Sequence, residues 1–149
     1  MSTIVKTIFD QIESMAQTEL GSSWRKLRKV FAPVDNEFRG VENAFKCRHG
    51  GAFSADGVTR YYTLDHSFQV LLMRRFVDRG DDHNIQTTIN DLYDKADELL
   101  TLFIKSRLQL PTTVLHVFNP SIGEPEVLAN NSVLLTVGFD VKYRRQLDL

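Results

Sequence analysis

Few residues in this chain of 149 are of a type and spacing that could perform chemistry. Cys47 and His49 stand two apart and on a strand would share one face as metal ligands, but a structural zinc site needs four ligands and no second Cys-His pair follows. Asp65-His66 and Asp81-Asp82-His83 place acids beside bases. Adjacent residues rarely converge on one substrate atom, and Asp is common in turns for backbone reasons. The sequence therefore predicts solvated turns at both places.

Three further patterns also have simpler explanations than catalysis. Gly50-Gly51 has neither the spacing of a dinucleotide fingerprint nor that of a phosphate-binding loop. Arg79-Gly80-Asp81 matches a cell-adhesion tripeptide, but three letters match by accident and no secretion signal precedes them. His116 stands between two apolar residues, which is typical of a strand. We therefore expect no catalytic residues, no metal and no cofactor, and we interpret the protein as a non-enzyme.

Composition and charge exclude several classes of protein. With 42% apolar and 25% charged residues the chain resembles an average globular protein, and one domain over residues 1–149 is expected. The 18 basic and 19 acidic side chains leave a net charge of −1, without the basic excess of a typical nucleic-acid binder. Cys47 is the only cysteine, so no internal disulfide forms, which fits a reducing cytosol. No run approaches the roughly 20 apolar residues of a membrane helix.

Charges of opposite sign are separated along the chain. A basic segment surrounds an aromatic residue, and its members are Trp24, Arg25, Lys26, Arg28 and Lys29. Residues 78–98 are by contrast rich in Asp and Glu. A subunit with separated charges suits a head-to-tail ring, in which two different surfaces of the same chain meet. A solvated helix face is the alternative interpretation of the basic segment.

Hydrophobic spacing predicts two helices that frame the chain's strands. Ile4, Ile8, Ile12 and Met15 form one stripe of an N-terminal helix, which Gly21 can end. Residues 22–43 form a connecting segment in which a short helical stripe precedes a proline. A long helix over residues 85–108 carries apolar side chains at steps of three and four, a stripe wide enough to cover a sheet.

Alternating hydrophobicity predicts a single sheet. From Ala44 onward two strands flank a long hairpin tip at residues 50–57, where four turn-forming residues stand, namely Gly50, Gly51, Asp56 and Gly57. Residues 67–77 are apolar on both alternations and form the central strand. Strands at 113–118 and 132–143 follow, separated by a turn at 119–124. The predicted fold class is α+β: one antiparallel or mixed sheet with an N-terminal helix and one long central helix packed on one face.

In this predicted order of helices and strands, three stretches resemble the tail terminator, or tail completion, proteins of long-tailed bacteriophages. They are the strand 68–76 with its polar exit at 79–82, the helix 85–108, and the closing segment 124–145. In the last, an acidic turn containing proline leads into an alternating strand that ends in Tyr-Arg-Arg. The resemblance spans Thr3 to Arg145, and it departs at residues 22–43, which are longer than the family's order requires.

The resemblance implies a structural virion protein that forms a hexameric ring. Such a ring binds the last ring of the tail tube, stops polymerisation and presents a surface for the head. Its partners would be further copies of itself, the tail tube protein and a head-completion or connector protein, with no membrane involved. Genomic DNA would pass through the lumen without specific binding. The expected location is the tail or neck of the virion, after assembly in the host cytoplasm.

Two groups of residues are the candidate interfaces. The predicted hairpin tip, with Gly50, Gly51, Phe53, Asp56 and Gly57, would reach a neighbour or the tube. Phe53 is the best single anchor, because an exposed aromatic ring at a mobile polar tip is expected to be buried by a binding partner. The alternative is that the ring folds back onto its own sheet. The basic segment Trp24, Arg25, Lys26, Arg28 and Lys29 would form the second interface.

Two alternatives to a tail terminator stay open. One is another neck ring, a connector or adaptor between portal and tail. The other belongs to a different class, a small nucleic-acid-binding module that uses Arg25 to Lys29.

Overall fold

A computed structural model describes residues 4–27, 42–58, 61–76, 83–105, 114–128 and 131–146. Within these ranges it describes the backbone alone at 4, 51–58, 61, 62, 115, 145 and 146. Helix α1 spans Ile4–Leu20 and helix α2 spans His83–Lys105. Six strands accompany them, namely β1 (Arg25–Lys26), β2 (Asn43–Val58), β3 (Tyr61–Arg75), β4 (Val114–Ile122), β5 (Glu126–Leu128) and β6 (Ser132–Gln146).

The six strands form one mixed sheet. Their order is β1-β2-β3-β6-β4, and β5 pairs with β6 beside β4. β1 runs parallel to β2, whereas the other pairs are antiparallel. With two helices packed on this sheet, the predicted α+β class is confirmed.

Both helices bury their predicted stripes against the same face of the sheet. From α1 the core takes Ile8, Ile12, Met15, Ala16 and Leu20. From α2 it takes Leu92, Ala96, Leu99, Leu100 and Phe103. β6 contributes every second residue from Val133 to Tyr143, and all six are buried, as the alternation predicts. One apolar face of the sheet thus packs on two apolar helix stripes.

Gly21 ends α1 as predicted. Its φ of +92° lies in the left-handed region, which glycine adopts without strain. Its N–H donates to the carbonyl oxygen of Gln17 at 3.0 Å, and its own carbonyl oxygen accepts from the N–H of Trp24 at 3.2 Å. The chain then turns directly into β1, so the helical stripe expected after residue 22 is wrong at Arg25 and Lys26.

The second face of the sheet holds a smaller cluster of buried residues. Leu27, Ala44 and Met73 pack together there, with the half-buried Leu134 against them. On β3, Phe68, Val70 and Leu72 face the helices, while the buried Leu71 and Met73 face the opposite side of the sheet. The prediction of a central strand buried on both faces is therefore confirmed.

The predicted hairpin tip at residues 50–57 is wrong. β2 continues through these residues to Val58, which pairs with Tyr61, so Gly51, Phe53, Asp56 and Gly57 lie within a strand. A β-bulge absorbs the glycines, because His49 pairs with Phe68 and the next paired residue is Phe53, opposite His66. β3 likewise continues through Asp65-His66, where a turn was expected.

Smaller differences occur near the chain's second half. β4 runs on to Ile122 through a bulge at Asn119, whose φ is +52°, so the turn predicted at 119–124 begins later. Ile104, expected within the apolar stripe of α2, is 41% exposed. The polar exit at 79–82 and the predicted end of the helix at 106–108 lie outside the described residues.

Replacing Gly50 with alanine is expected to destabilise the protein by about 1–3 kcal/mol. A Cβ at this position would stand 2.7 Å from the Cβ of Ser67 and 3.2 Å from its backbone carbon, so the two strands must separate. Urea unfolding measures the change. The matched control is Gly123→Ala, whose added Cβ meets nothing closer than 3.5 Å. Equal effects of the two substitutions would contradict the close approach of β2 to β3.

Candidate functional site

The basic segment is split between core and surface. Trp24 is only 4% exposed and belongs to the main core, so it is not the exposed aromatic anchor that the sequence suggested. Arg25 and Lys26 are exposed on β1, and the Lys26 ammonium lies 3.3 Å from the carboxylate of Glu13. Arg28 and Lys29 lie outside the described residues. An interface role for these cations remains a prediction.

The residues of the predicted tip occupy one edge of the sheet. Within the described chain, only the two residues of β1 pair with the outer side of β2, at Ala44 and Phe45. Beyond these residues, no described strand pairs with the outer side of β2 from Cys47 to Val58. Unpaired strand edges present N–H and C=O groups that another strand can bind.

The opposite edge of the sheet is built differently. β4 and β5 lie end to end along β6, and residues 123–125 interrupt them. Pro120 lies within β4 and Pro125 in the interruption, and each lacks the N–H that a pairing strand would need. Bulges and prolines protect an edge against further strand pairing, so the two edges of this sheet are not equivalent.

A network of polar side chains covers part of the second face. Asp140 is its centre: Ser67 Oγ donates to one carboxylate oxygen at 2.6 Å, and Asn119 Nδ2 donates to the other at 3.0 Å. Arg48 Nε donates to Gln69 Oε1 at 2.6 Å on the neighbouring strands. These bonds cross β2, β3, β6 and β4, so they tie four strands together on the face that the helices do not cover.

Aromatic and charged groups extend this network toward β4. Lys142 Nζ lies 3.8 Å from a carboxylate oxygen of Asp65 and 5.9 Å from the ring centre of Phe118. His116 stacks on Phe118 with ring centres 5.4 Å apart. His116 is thus an exposed strand residue, as the sequence indicates.

Two histidines meet on the helix-covered face, at the bulge. Nδ1 of His49 and Nε2 of His66 are 2.8 Å apart, and the two rings are nearly perpendicular. Phe9 of α1 stacks on His49 at 4.9 Å, and the His66 ring lies 4.8 Å from that of Phe68. Burial, and secondarily the neighbouring His49, lower the pKa of His66 below its usual value. Both rings therefore have defined positions.

Strand alternation separates groups that look catalytic in the sequence. Asp65, His66 and Ser67 are consecutive, but His66 faces the helix side while Ser67 and Asp65 face the polar network. Ser67 bonds to Asp140 and not to a histidine. In the described structure these three residues thus do not form a nucleophile–base arrangement, which requires side chains within hydrogen-bond reach.

Cys47 is a core residue. It is 4% exposed, and burial raises the pKa of its thiol to about 12, with Glu13 raising it further and Lys26 lowering it. Thiolate is the form that attacks substrates and binds metals. Cys47 therefore stays a neutral thiol near pH 7.

The pairing of His49 with His66 is the feature that sequence analysis missed. The residues are 17 apart in the chain, and their meeting depends on the register that the bulge sets between β2 and β3. The adjacent Gly50-Gly51 pair was the available signal, because glycine inside a strand often marks a bulge or a close approach of two backbones. The same two glycines also predict a turn, and the structure shows the bulge instead.

Charge is separated between the two layers of the molecule. Exposed carboxylates are concentrated on the helices, at Asp10, Glu19, Asp94, Asp97 and Glu98. Cations lie on the second face of the sheet, at Arg48, Arg75, Lys142 and Arg144, together with the carboxylates Asp65 and Asp140. The helices also carry Lys6, which pairs with Asp10, Lys95, which pairs with Glu98, and Lys105. Carboxylates outnumber these lysines on the helices, so the helix layer is acidic and the other side of the sheet is more basic.

Comparisons with known proteins leave the family open. No protein-family model matches this chain, and no curated protein matches it. A solved structure whose name states no function is similar over 93% of this chain and 93% of its own, with 20% identity and a TM-score of 0.42. A likeness of this size carries no argument about fold or function. Among the described residues, neither helix has the length and apolar content needed to cross a bilayer.

Proposed function

We propose that this chain is a ring-forming structural protein of a bacteriophage tail, a tail terminator that caps the tail tube and joins it to the head. The observation that carries the proposal is the outer side of β2 from Cys47 to Val58, with which no strand pairs in the part of the chain that the structure describes. A long strand edge without proline is a template for a further chain, and a protein that works by assembling with copies of itself uses such an edge.

The non-equivalence of the two sheet edges supports a controlled assembly. Pro120 and Pro125 hinder strand addition at the β4–β5 edge, whereas β2 from Cys47 to Val58 contains no proline and pairs with no further strand among the described residues. A sheet with two open edges can add strands of further copies at both and so continue indefinitely, whereas a sheet with one open edge can accept a strand at that edge alone. A terminator needs this property because it must bind a growing tube without continuing it.

The dimensions of the sheet also support an assembly role. β2, β3 and β6 contain 16, 15 and 15 residues, or about 50 Å at about 3.3 Å per residue. α1 with 17 residues is about 26 Å long and α2 with 23 residues about 35 Å. The sheet is longer than either helix, so the two described helices leave part of the length of β2, β3 and β6 uncovered.

Separated charge favours contact between different surfaces. The acidic helix layer of one copy, with Asp94 and Asp97, complements the cations Lys142 and Arg144 on the sheet of the next. A contact between unlike surfaces is heterologous and closes into a ring when its rotation permits. The same charges make assembly sensitive to salt, since exposed charges are screened.

The deciding experiment adds the purified full chain to polymerising tail tube protein. We expect six-membered rings by electron microscopy and native mass spectrometry, and tubes whose length no longer increases once one ring is present per tube end. The variant Asp94→Lys with Asp97→Lys should weaken ring formation, because it reverses the charge of exposed positions on α2. Glu126→Lys, on the protected edge, is the matched control.

Three outcomes are informative. Fixed tube length together with rings supports the terminator. Rings that leave tube length unchanged favour a connector or adaptor of the neck. A monomer that binds DNA at low salt and loses it steeply as salt rises favours a nucleic-acid-binding module that uses Arg25 to Lys29, and it contradicts the proposal.

A further inference from the structure

The histidine pair at the bulge combines three features of a metal-binding site. Two imidazole nitrogens converge from neighbouring strands, the rings are held by packing, and one side of the pair is open to solvent. His49 is exposed and His66 is half-buried, so a bound ion could keep water molecules as further ligands. Neither ring takes part in the proposed assembly of copies, and the inference below is independent of it.

From this geometry we infer that His49 and His66 form a binding site for a transition-metal cation that prefers imidazole ligands, of which Cu²⁺ is the strongest binder. Nδ1 of His49 and Nε2 of His66 are 2.8 Å apart. Metal–nitrogen bonds of about 2.0–2.1 Å at a right angle place two ligand nitrogens about 2.9 Å apart, and at a tetrahedral angle about 3.3 Å apart. An ion therefore replaces the hydrogen bond between these nitrogens. The donor ring moves its proton to its other nitrogen, and both rings turn until their lone pairs face the ion, with the two nitrogens at most about half an ångström further apart.

Packing prepares both rings for this role. Phe9 stacks on His49 with an interplanar angle of 26°, and the Phe68 ring lies near both histidines, at 5.7 Å from His49 and 4.8 Å from His66. The bulge brings Gly50 against Ser67 and so holds β2 close to β3 beside the pair. Ligands held in place lose little side-chain entropy when an ion binds.

The donor set selects the class of ion. Imidazole nitrogen suits Cu²⁺, Ni²⁺ and Zn²⁺, whereas Mg²⁺ and Ca²⁺ require oxygen ligands. No group of three or more His, Cys, Asp or Glu converges in the part of the chain that the structure describes. The described residues thus supply two protein ligands, with water in the remaining positions, and the affinity order Cu²⁺ above Ni²⁺ and Zn²⁺ follows for such a ligand set.

The test titrates the untagged full chain with Cu²⁺ alone, followed by calorimetry and by electron paramagnetic resonance. We expect one ion per chain and a spectrum with two coordinated imidazole nitrogens. His49→Asn removes one ligand at an exposed position and should weaken binding at least about tenfold. His66→Asn should do the same. The matched control is His116→Asn, which removes an exposed histidine from the other face and should leave the affinity unchanged.

Circular dichroism and thermal unfolding show whether each variant keeps its fold. Because His49 is exposed, its variant tests the site even if His66→Asn unfolds. Binding that persists at full strength in folded His49→Asn, or the absence of saturable binding to the unaltered chain, would overturn the inference. Either result leaves the tube-length experiment unaffected, so failure of the metal site and failure of the proposed function are distinguishable.

Discussion

Replacing Trp24 with alanine is expected to lower the free energy of unfolding by about 3–5 kcal/mol. The side chain is 4% exposed and belongs to the main core, where α1 and the sheet meet. Its removal leaves a cavity that the surrounding helix and strands can fill only in part. The backbone carbonyl at this position, which accepts a hydrogen bond from Gln17 Nε2 at 2.9 Å, is retained in the variant, so the loss reports the side chain alone. Urea unfolding followed by circular dichroism measures the loss.

Arg25→Ala is the matched control for this prediction. Arg25 is the next residue, it is exposed, and its replacement should change stability by no more than about 0.5 kcal/mol. The comparison separates two roles for Trp24. A Trp24→Ala variant of unchanged stability that no longer assembles would show that the ring serves an interface and that its burial in the core is incorrect.

Replacing Phe68 with alanine is expected to have a destabilising effect of similar size, about 3–5 kcal/mol. Phe68 is 1% exposed at the centre of β3 and lies among four other rings, with centroid distances of 4.8 to 6.5 Å to His66, His49, Phe139 and Phe9. The substitution removes both buried apolar area and the packing between aromatic rings. Thermal and urea unfolding both report it.

Phe118→Ala provides the control on the opposite face of the sheet. Phe118 is half-buried and touches His116 and Lys142, so its loss should cost about 1 kcal/mol. A Phe68→Ala variant as stable as Phe118→Ala would mean that the helices do not pack on the face of β3 that carries Phe68. The two-layer arrangement would then be wrong.

Elements with a strong hydrophobic period were predictable from the sequence. The stripe from Ile8 to Met15 has the three- and four-residue steps of a helix that rests on a sheet, and the structure buries it. The alternation from Val133 to Tyr143 has the period of a strand, and one side of β6 is buried throughout. In both cases the hydrophobic repeat lies within one helix or strand. Its only structural requirement is that one face of that element is buried, so it can be recognised without knowing the rest of the fold.

Elements that contain turn-forming residues were not predictable in the same way. Gly50-Gly51 and Asp56-Gly57 have the composition of a hairpin tip, yet β2 passes through both. Pairing with β3 continues on either side of the bulge and satisfies the backbone hydrogen bonds, so the local preference for a turn is overridden. Asn119-Pro120 behaves likewise, because a bulge in β4 accommodates it.

The candidate sites depend even more on tertiary structure than the fold does. His49 and His66 look unrelated in the chain, and Asp65, His66 and Ser67 look like a group. The register of β2 against β3 brings the first pair together, and the alternation of β3 separates the second set onto two faces.

The amino-acid sequence by itself thus determined the class of fold, the two helix stripes and the buried alternation of the last strand, since each follows from a period that neighbouring residues express. Only the tertiary structure decided where β2 turns, that Trp24 is buried, which edge of the sheet lacks a described neighbour, and that two histidines meet. These features depend on the register between distant strands. Register is set by the packing of the whole core, and one bulge changes which residues face one another.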